Sequence, residues 1–260
     1  MTSQVVFSPI QAHWRTYRNY VWCLHNEQHE CLLIDPGEAE PVLSFLEQHD
    51  LLPKAILITH HHLDHINGVQ AVLDHYGPLS IYGPHNSPFT LINHPLHEGD
   101  LLNFSDFNLS FTVMETPGHT FSHISLYNIN AVFSGDALFS AGCGIVLDDG
   151  SISDLFNSAQ RIAQLPETTQ MYCPHEYTLD NLVFASQLEP DNLDVLRRLE
   201  KVQQNNEKGI PNTPSTIALE KQTNPFLRAH VPEVKQRCEA YAGKPLNTPF
   251  EVFEVIRSWR

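Results

Sequence analysis

The sequence predicts an α/β (α+β) chain, with a mixed α/β domain over residues 1–175 and a small all-helical domain over residues 176–260. Two observations carry this. Short β-like runs closed by turn residues alternate with helical patterns through the first two thirds, and after about Thr178 the strand signals stop. The strand runs are residues 19–24, 31–34 (closed by Asp35-Pro36-Gly37), 55–59, 79–82, 109–115, 123–127, 131–134 and 170–173. Between them, residues 41–49 put Val42, Phe45 and Leu46 on one helical face, and residues 66–76 form a second helix. Residues 152–165 align Leu155, Ala159 and Ile162, with Ser151 as the expected N-cap. The helical tail comprises residues 191–208 ending at Gly209, a short piece over 215–222, then 232–242 and 249–259. The last of these sets Val252, Val255, Ile256 and Trp259 at i, i+3, i+4, i+7, with Trp259 and the phenylalanines expected in the core. There is no internal repeat.

At 260 residues, 42% hydrophobic and 17% charged, the chain is long enough for a substantial core. Its net charge of -15 opposes attraction to phosphate backbones, so nucleic acid is an unsuitable partner. No run is long and apolar enough for a membrane span, and the first fifteen residues lack the pattern of a signal peptide. A soluble cytoplasmic protein is expected. Five cysteines, odd in number and without a Cys-x-x-Cys pair, point to buried thiols rather than disulfides or a thiolate zinc site.

The chemistry lies in Thr59-His-His-His-Leu-Asp-His, where His60, His62, Asp64 and His65 follow an apolar run. Imidazole and carboxylate are the ordinary ligands of divalent transition ions, and residues two apart at a strand end project to one side. Sixteen histidines make chance clustering a rival explanation, but a solvated tract does not normally follow Ala-Ile-Leu-Ile and precede an amphipathic helix. Three more candidates each sit just past an apolar run: His119, Asp136 and His175. Each alone is weak, because an isolated histidine at a strand end is more often structural.

Together the seven are too many for one tetrahedral zinc and suit two ions sharing a carboxylate. The natural partition gives His60, His62 and His119 to one metal and Asp64, His65 and His175 to the other, with Asp136 bridging. Asp64 and Asp136 are then the catalytic carboxylates. A water held between the ions loses its proton near neutral pH, since one bound zinc already lowers its pKa to roughly 7, and the hydroxide is the expected nucleophile. Zinc is the expected metal, with iron or manganese accepted by the same ligands. His61 occupies the motif's remaining position and is expected to face away; Asp35 is either a partner for a ligand imidazole or a plain turn residue.

The motifs Thr-His-x-His-x-Asp-His, Gly-His-Thr, Gly-Asp and His-Glu-Tyr, in this order, resemble the metallo-β-lactamase superfamily, whose fold is an αββα sandwich with a dinuclear site at one edge. Residues 211–221 and 224–228 resemble the helical C-terminal domain of the hydroxyacylglutathione hydrolases, the glyoxalase II family. That resemblance implies hydrolysis of S-D-lactoylglutathione, a 2-hydroxyacylglutathione, to D-lactate and glutathione in the detoxification of methylglyoxal. The implied partner is a small glutathione thioester, met by a single chain without nucleic acid or membrane. The reaction suits such a site, because metal can hold the oxyanion of the tetrahedral intermediate and a thiolate leaves readily. No Gly-x-Ser-x-Gly elbow offers the serine route.

By the same resemblance, Tyr177 and the pair Arg257 and Arg260 would hold glutathione, the arginines pairing with its glycine carboxylate. Solvated residues at a frayed terminus are the plain alternative for that pair. The chain departs from the family after Cys143: Ile145 stands in place of a cation, Leu147 in place of an aromatic residue, and one residue is inserted. Weaker glutathione binding or another acyl-thioester preference is the expected consequence. The rivals are a glutathione persulfide dioxygenase with a single iron, and a noncatalytic metal-binding module. Lactonase and β-lactamase readings gain nothing from the helical tail, and a nuclease conflicts with the acidic charge.

Overall fold

A computed structural model describes residues 5–13, 18–147 and 149–260; Asp148, in the stretch where one residue is expected to be inserted, lies outside them. By compactness the described chain forms two units. One holds the described residues up to Glu115 together with Ser122–Asn128, and the other holds Thr116–Phe121 and Ile129–Arg260.

The first unit runs β1 (Val6–Ala12), β2 (Asn19–His25), β3 (Glu30–Ile34), α1 (Ala39–Gln48), β4 (Leu52–Leu57), α2 (Leu63–Ile66), α3 (Val69–Tyr76), β5 (Ser80–Pro84), β6 (His94–Leu96), β7 (Leu101–Phe104), β8 (Leu109–Glu115) and β9 (Ile124–Tyr127). Strands β1 to β6 form a sheet in chain order, antiparallel from β1 to β3 and parallel from β3 to β6. The alternating helices dictate this change, because a parallel neighbour needs a crossover. Val42 and Leu46 of α1 and Val69 and Val72 of α3 pack on Val21, Cys23, Leu33, Ile56 and Ile81 of the sheet. The intervening strand residues Leu24, Leu32 and Leu57 are also fully buried. Burial on both faces is why β2 and β3 read as continuous apolar runs rather than as alternation. Separately, β7, β8 and β9 pair antiparallel.

Several features of this unit differ from the sequence expectation, which foresaw neither β6 nor β7. β1 gives no strand signal because it carries Pro9, tolerated since β1 lies at the sheet edge. The helix expected over residues 66–76 is two helices broken at Gly68, whose N–H donates to Pro36 O at 3.0 Å and whose missing side chain leaves room for that carbonyl, 2.5 Å from where a Cβ would stand. β4 starts and stops earlier than residues 55–59, though Ile58 N–H still donates to Tyr82 O at 2.8 Å.

The second unit contains β10 (Ala131–Phe133), α4 (Ile152–Ile162), β11 (Gln170–Tyr172), α5 (Thr178–Leu188), α6 (Leu193–Glu207), β12 (Ser215–Thr216), α7 (Ile217–Thr223), α8 (Pro232–Ala242) and α9 (Pro249–Trp259). Strand β10 pairs parallel with β11, and β11 antiparallel with β12. Ser151 caps α4 as expected, its hydroxyl accepting from Asp154 N–H at 3.3 Å, and α4 buries Leu155, Ala159 and Ile162. Helix α5 was not legible: its buried stripe of Thr178, Asn181, Leu182 and Ala185 has helical spacing, but two of the four are polar. In α9 the buried residues are Val252, Phe253 and Ile256. Trp259, expected in the core, is only half-buried and stacks on Tyr241 with centroids 4.2 Å apart. All five cysteines are buried free thiols, as expected.

Candidate metal centre

In the first unit the donors stand on the segment leaving β4 and on α2. His60 Nε2 and His62 Nδ1 face each other at 3.1 Å. That is close to the edge of a tetrahedron built from metal–imidazole bonds of about 2.0–2.1 Å, so the two lone pairs could share one ion. His65 lies beside them, its ring centroid 4.0 Å from that of His60, and its Nε2 is 3.7 Å from Asp64 Oδ2. Asp35 answers both expectations. It opens a tight turn, its carbonyl accepting from Gly37 N–H at 2.8 Å with φ at 53°, and it fixes this segment: Oδ1 accepts from Thr59 N–H at 2.8 Å, and Oδ2 accepts from Thr59 Oγ1–H at 2.6 Å and from the His65 ring at Nδ1, 3.0 Å away. A proton held on Nδ1 leaves Nε2 of His65 as the lone pair for metal. His61 Nδ1 meets Ser122 Oγ at 3.2 Å.

In the second unit the parallel pairing of β10 and β11 sets the geometry. Phe133 is in register with Tyr172, and three residues beyond each come Asp136 and His175, delivered to the same end of the two strands. The Asp136 carboxylate divides itself between two imidazoles: Oδ2 is 3.4 Å from His119 Nε2, and Oδ1 is 3.4 Å from His175 Nε2. All three side chains are buried. His119 is held from behind, its Nδ1 2.6 Å from Ile145 O, which again directs Nε2 forward. Gly144 permits that approach, because a Cβ there would stand 2.0 Å from Asp136 O and 3.2 Å from His119 Nδ1.

The loop carrying Ile145 is pinned by a buried polar network. Arg198 donates from Nη2 to Glu220 Oε1 at 2.6 Å and to Ser140 Oγ at 2.8 Å; Glu220 Oε2 accepts from Ala141 N–H at 2.8 Å. Asn224 Nδ2 donates to Phe139 O at 3.2 Å and Gly142 O at 3.0 Å. The three residues expected to grip substrate border the same loop. Tyr177 stacks on His175 with centroids 4.9 Å apart and rings 6° from parallel. Arg257 Nη1 donates to Cys143 O at 3.1 Å and Gly144 O at 3.2 Å, and Arg260 Nη2 to Asn181 Oδ1 at 2.6 Å. The nearby Cys143 thiol is pushed up to about 11 by burial, partly opposed by Arg257. Ile145 and Leu147 are 52% and 40% exposed, an apolar surface on this loop.

Residues 18–175 match the model of the metallo-beta-lactamase superfamily, and residues 176–260 match that of the hydroxyacylglutathione hydrolase C-terminus. A hydroxyacylglutathione hydrolase from Nitrosomonas europaea is 43% identical over 247 residues, spanning 95% of this chain and 93% of the relative. Another, from Psychromonas ingrahamii, is 44% identical over 93% of this chain and 94% of its own length. The chain belongs to the hydroxyacylglutathione hydrolases. Its fold is that of the metallo-β-lactamases, and the solved structure of ETHE1 from Myxococcus xanthus follows it over 98% of this chain and 91% of that one with a TM-score of 0.68 at 25% identity.

Several side chains that set up this hydroxyacylglutathione hydrolase site give little sign in the sequence. Asn19, at the start of β2, donates from Nδ2 to Asp64 O at 3.2 Å and Asp64 Oδ2 at 3.3 Å. A polar residue opening an otherwise apolar strand was the available signal. The His123 ring stacks on His60 with centroids 5.0 Å apart. Glu176, between the expected ligand His175 and Tyr177, accepts from Asn212 N–H at 2.8 Å and from Thr178 Oγ1–H at 2.7 Å, fixing the chain on either side of Tyr177.

Proposed function

We propose that this hydroxyacylglutathione hydrolase family member is a metal-dependent thioester hydrolase cleaving S-D-lactoylglutathione, or a closely similar 2-hydroxyacylglutathione, to the hydroxy acid and glutathione. Its relatives named for that activity cover nearly all of its length, which supports the substrate class. His60, His62 and His119 would hold one ion and Asp64, His65 and His175 the other, with Asp136 shared. The observation that carries two ions rather than one is the Asp136 carboxylate, whose two oxygens each meet the Nε2 of a different buried histidine. Zinc is the metal we favour for these imidazole and carboxylate donors.

When bound, two divalent ions supply an acidic water at neutral pH and polarise the thioester carbonyl. The chain supplies orientation. Asp35 and Ile145 O hold the far nitrogens of His65 and His119, so each imidazole presents Nε2. Tyr177, steadied against His175, and Arg257 and Arg260 bind the glutathione part; the arginines give up neutral carbonyl acceptors for a carboxylate, a stronger partner. The leaving glutathione thiolate needs no dedicated acid.

Residues 1–175 would carry the metal and 176–260 the substrate contacts, a division that the family matches over 18–175 and 176–260 support. The five free buried thiols fit a reducing cytoplasm, where the protein would act as a single chain. The apolar Ile145 and Leu147 favour a second reading in which glutathione is held less firmly and another acyl-thioester competes. Turnover of S-D-lactoylglutathione, other acyl-thioesters and glutathione persulfide, before and after chelation, tests both. Hydrolysis lost on chelation and restored by zinc supports the proposal. Oxygen uptake with persulfide, or better turnover of a thioester lacking glutathione, contradicts it.

A further inference from the structure

A separate cluster of donors stands on the first unit, where the ends of three strands meet. His85 follows β5, its N–H donating to Leu96 O at 3.0 Å, and His97 follows β6, its N–H donating to Asp100 Oδ2 at 2.8 Å. Glu115 closes β8. Its N–H donates to Glu98 Oε2 at 2.7 Å, while Glu98 N–H donates back to Glu115 Oε1 at 3.3 Å. The main chain under each donor is therefore fixed. The His85 and His97 rings stack with centroids 4.1 Å apart and 23° between planes, and His85 Nδ1 is 3.6 Å from Glu115 Oε1. One ligand atom from each of His85, His97 and Glu115 lies within 4.8 Å of the others.

The geometry points to a further metal site, in which His85, His97 and Glu115 take one divalent transition ion of the zinc type. Two imidazoles and a carboxylate are the donor set such an ion selects, and three protein ligands leave a position for water. Tetrahedral bonds of about 2.0–2.1 Å place donors roughly 3.3 Å apart. The half-exposed side chains of His85 (36%) and Glu115 (40%) need only small rotations to close to that spacing. A plain surface ion pair accounts for one histidine beside Glu115, but not for two imidazoles stacked there, since both protonated would repel. Glu98 and Asp100 add negative charge around the cluster, favouring a cation. A bound ion would clip the ends of β5, β6 and β8 together and stabilise the folded state by mass action.

The test uses the full chain loaded with zinc at its catalytic centre. Wild type, His85→Gln and His97→Gln are dialysed against the same buffered free zinc, and zinc per chain is counted alongside thioester turnover. The expected result is one equivalent fewer in each variant, with turnover unchanged and with the zinc-dependent rise in melting temperature reduced. Equal zinc content in all three proteins overturns the proposal, and an equivalent retained by both variants marks an adventitious ion elsewhere.

Discussion

Asp136 is the residue on which the proposed chemistry turns, since the two oxygens of its carboxylate each face a different imidazole. Asp35 shows how a residue outside the ligand set serves it. Removing its carboxylate in Asp35→Ala frees both Thr59 and the His65 ring, and metal affinity should fall about 10–100-fold, read by competition with a chelator. Ile145 has a double character: its carbonyl holds His119, while its exposed side chain occupies the position where the sequence resemblance leads a cation to be expected. Ile145→Arg keeps the carbonyl and restores the cation, so KM for S-D-lactoylglutathione should drop about 2–5-fold with kcat held. At Cys143 the folded chain raises the thiol from 9.0 to about 11 by burial. Above pH 9 the unfolded chain loses that proton while the folded chain keeps it, so stability is full below about pH 9 and declines towards pH 11, by about 2–3 kcal/mol. In Cys143→Ala this part of the alkaline loss should be missing from urea unfolding curves compared at about pH 8 and pH 10.

Among the elements, the 139–144 loop depends on helices far along the chain. Arg198 of α6 and Glu220 of α7 are buried and bonded to each other as well as to Ser140 and Ala141. Glu220→Leu leaves the Arg198 charge uncompensated and should cost about 3–5 kcal/mol in urea unfolding, whereas Arg198→Met with Glu220→Leu should recover much of it. The bonds to Ser140 and Ala141 join residues 58 and 79 apart, so no local pattern announces them. The candidate donors stand out locally for the opposite reason: each follows an apolar run, and the parallel pair β10 and β11 delivers Asp136 and His175 to the same end of the two strands. Where packing overrides local preference, the sequence was silent. Pro9 hides β1, polar Thr178 and Asn181 hide α5, and Gly68 breaks a helix whose periodicity runs straight through it.

At the scale of the whole molecule, a net charge of -15 would be offset, in the proposed site, by divalent ions and by Arg257 and Arg260, which would bring positive charge to an anionic thioester. No described helix is long and apolar enough to cross a membrane. The two family matches meet at residues 175 and 176. Two ions acting together are the core of the proposed mechanism. Its most direct test is a zinc titration of metal-free protein carrying His97→Gln, so that the exterior cluster stays out of the count, with thioester turnover read at each addition. Turnover that climbs until two equivalents are bound, and is lost in Asp136→Ala, is the predicted result; full turnover at one equivalent would contradict it.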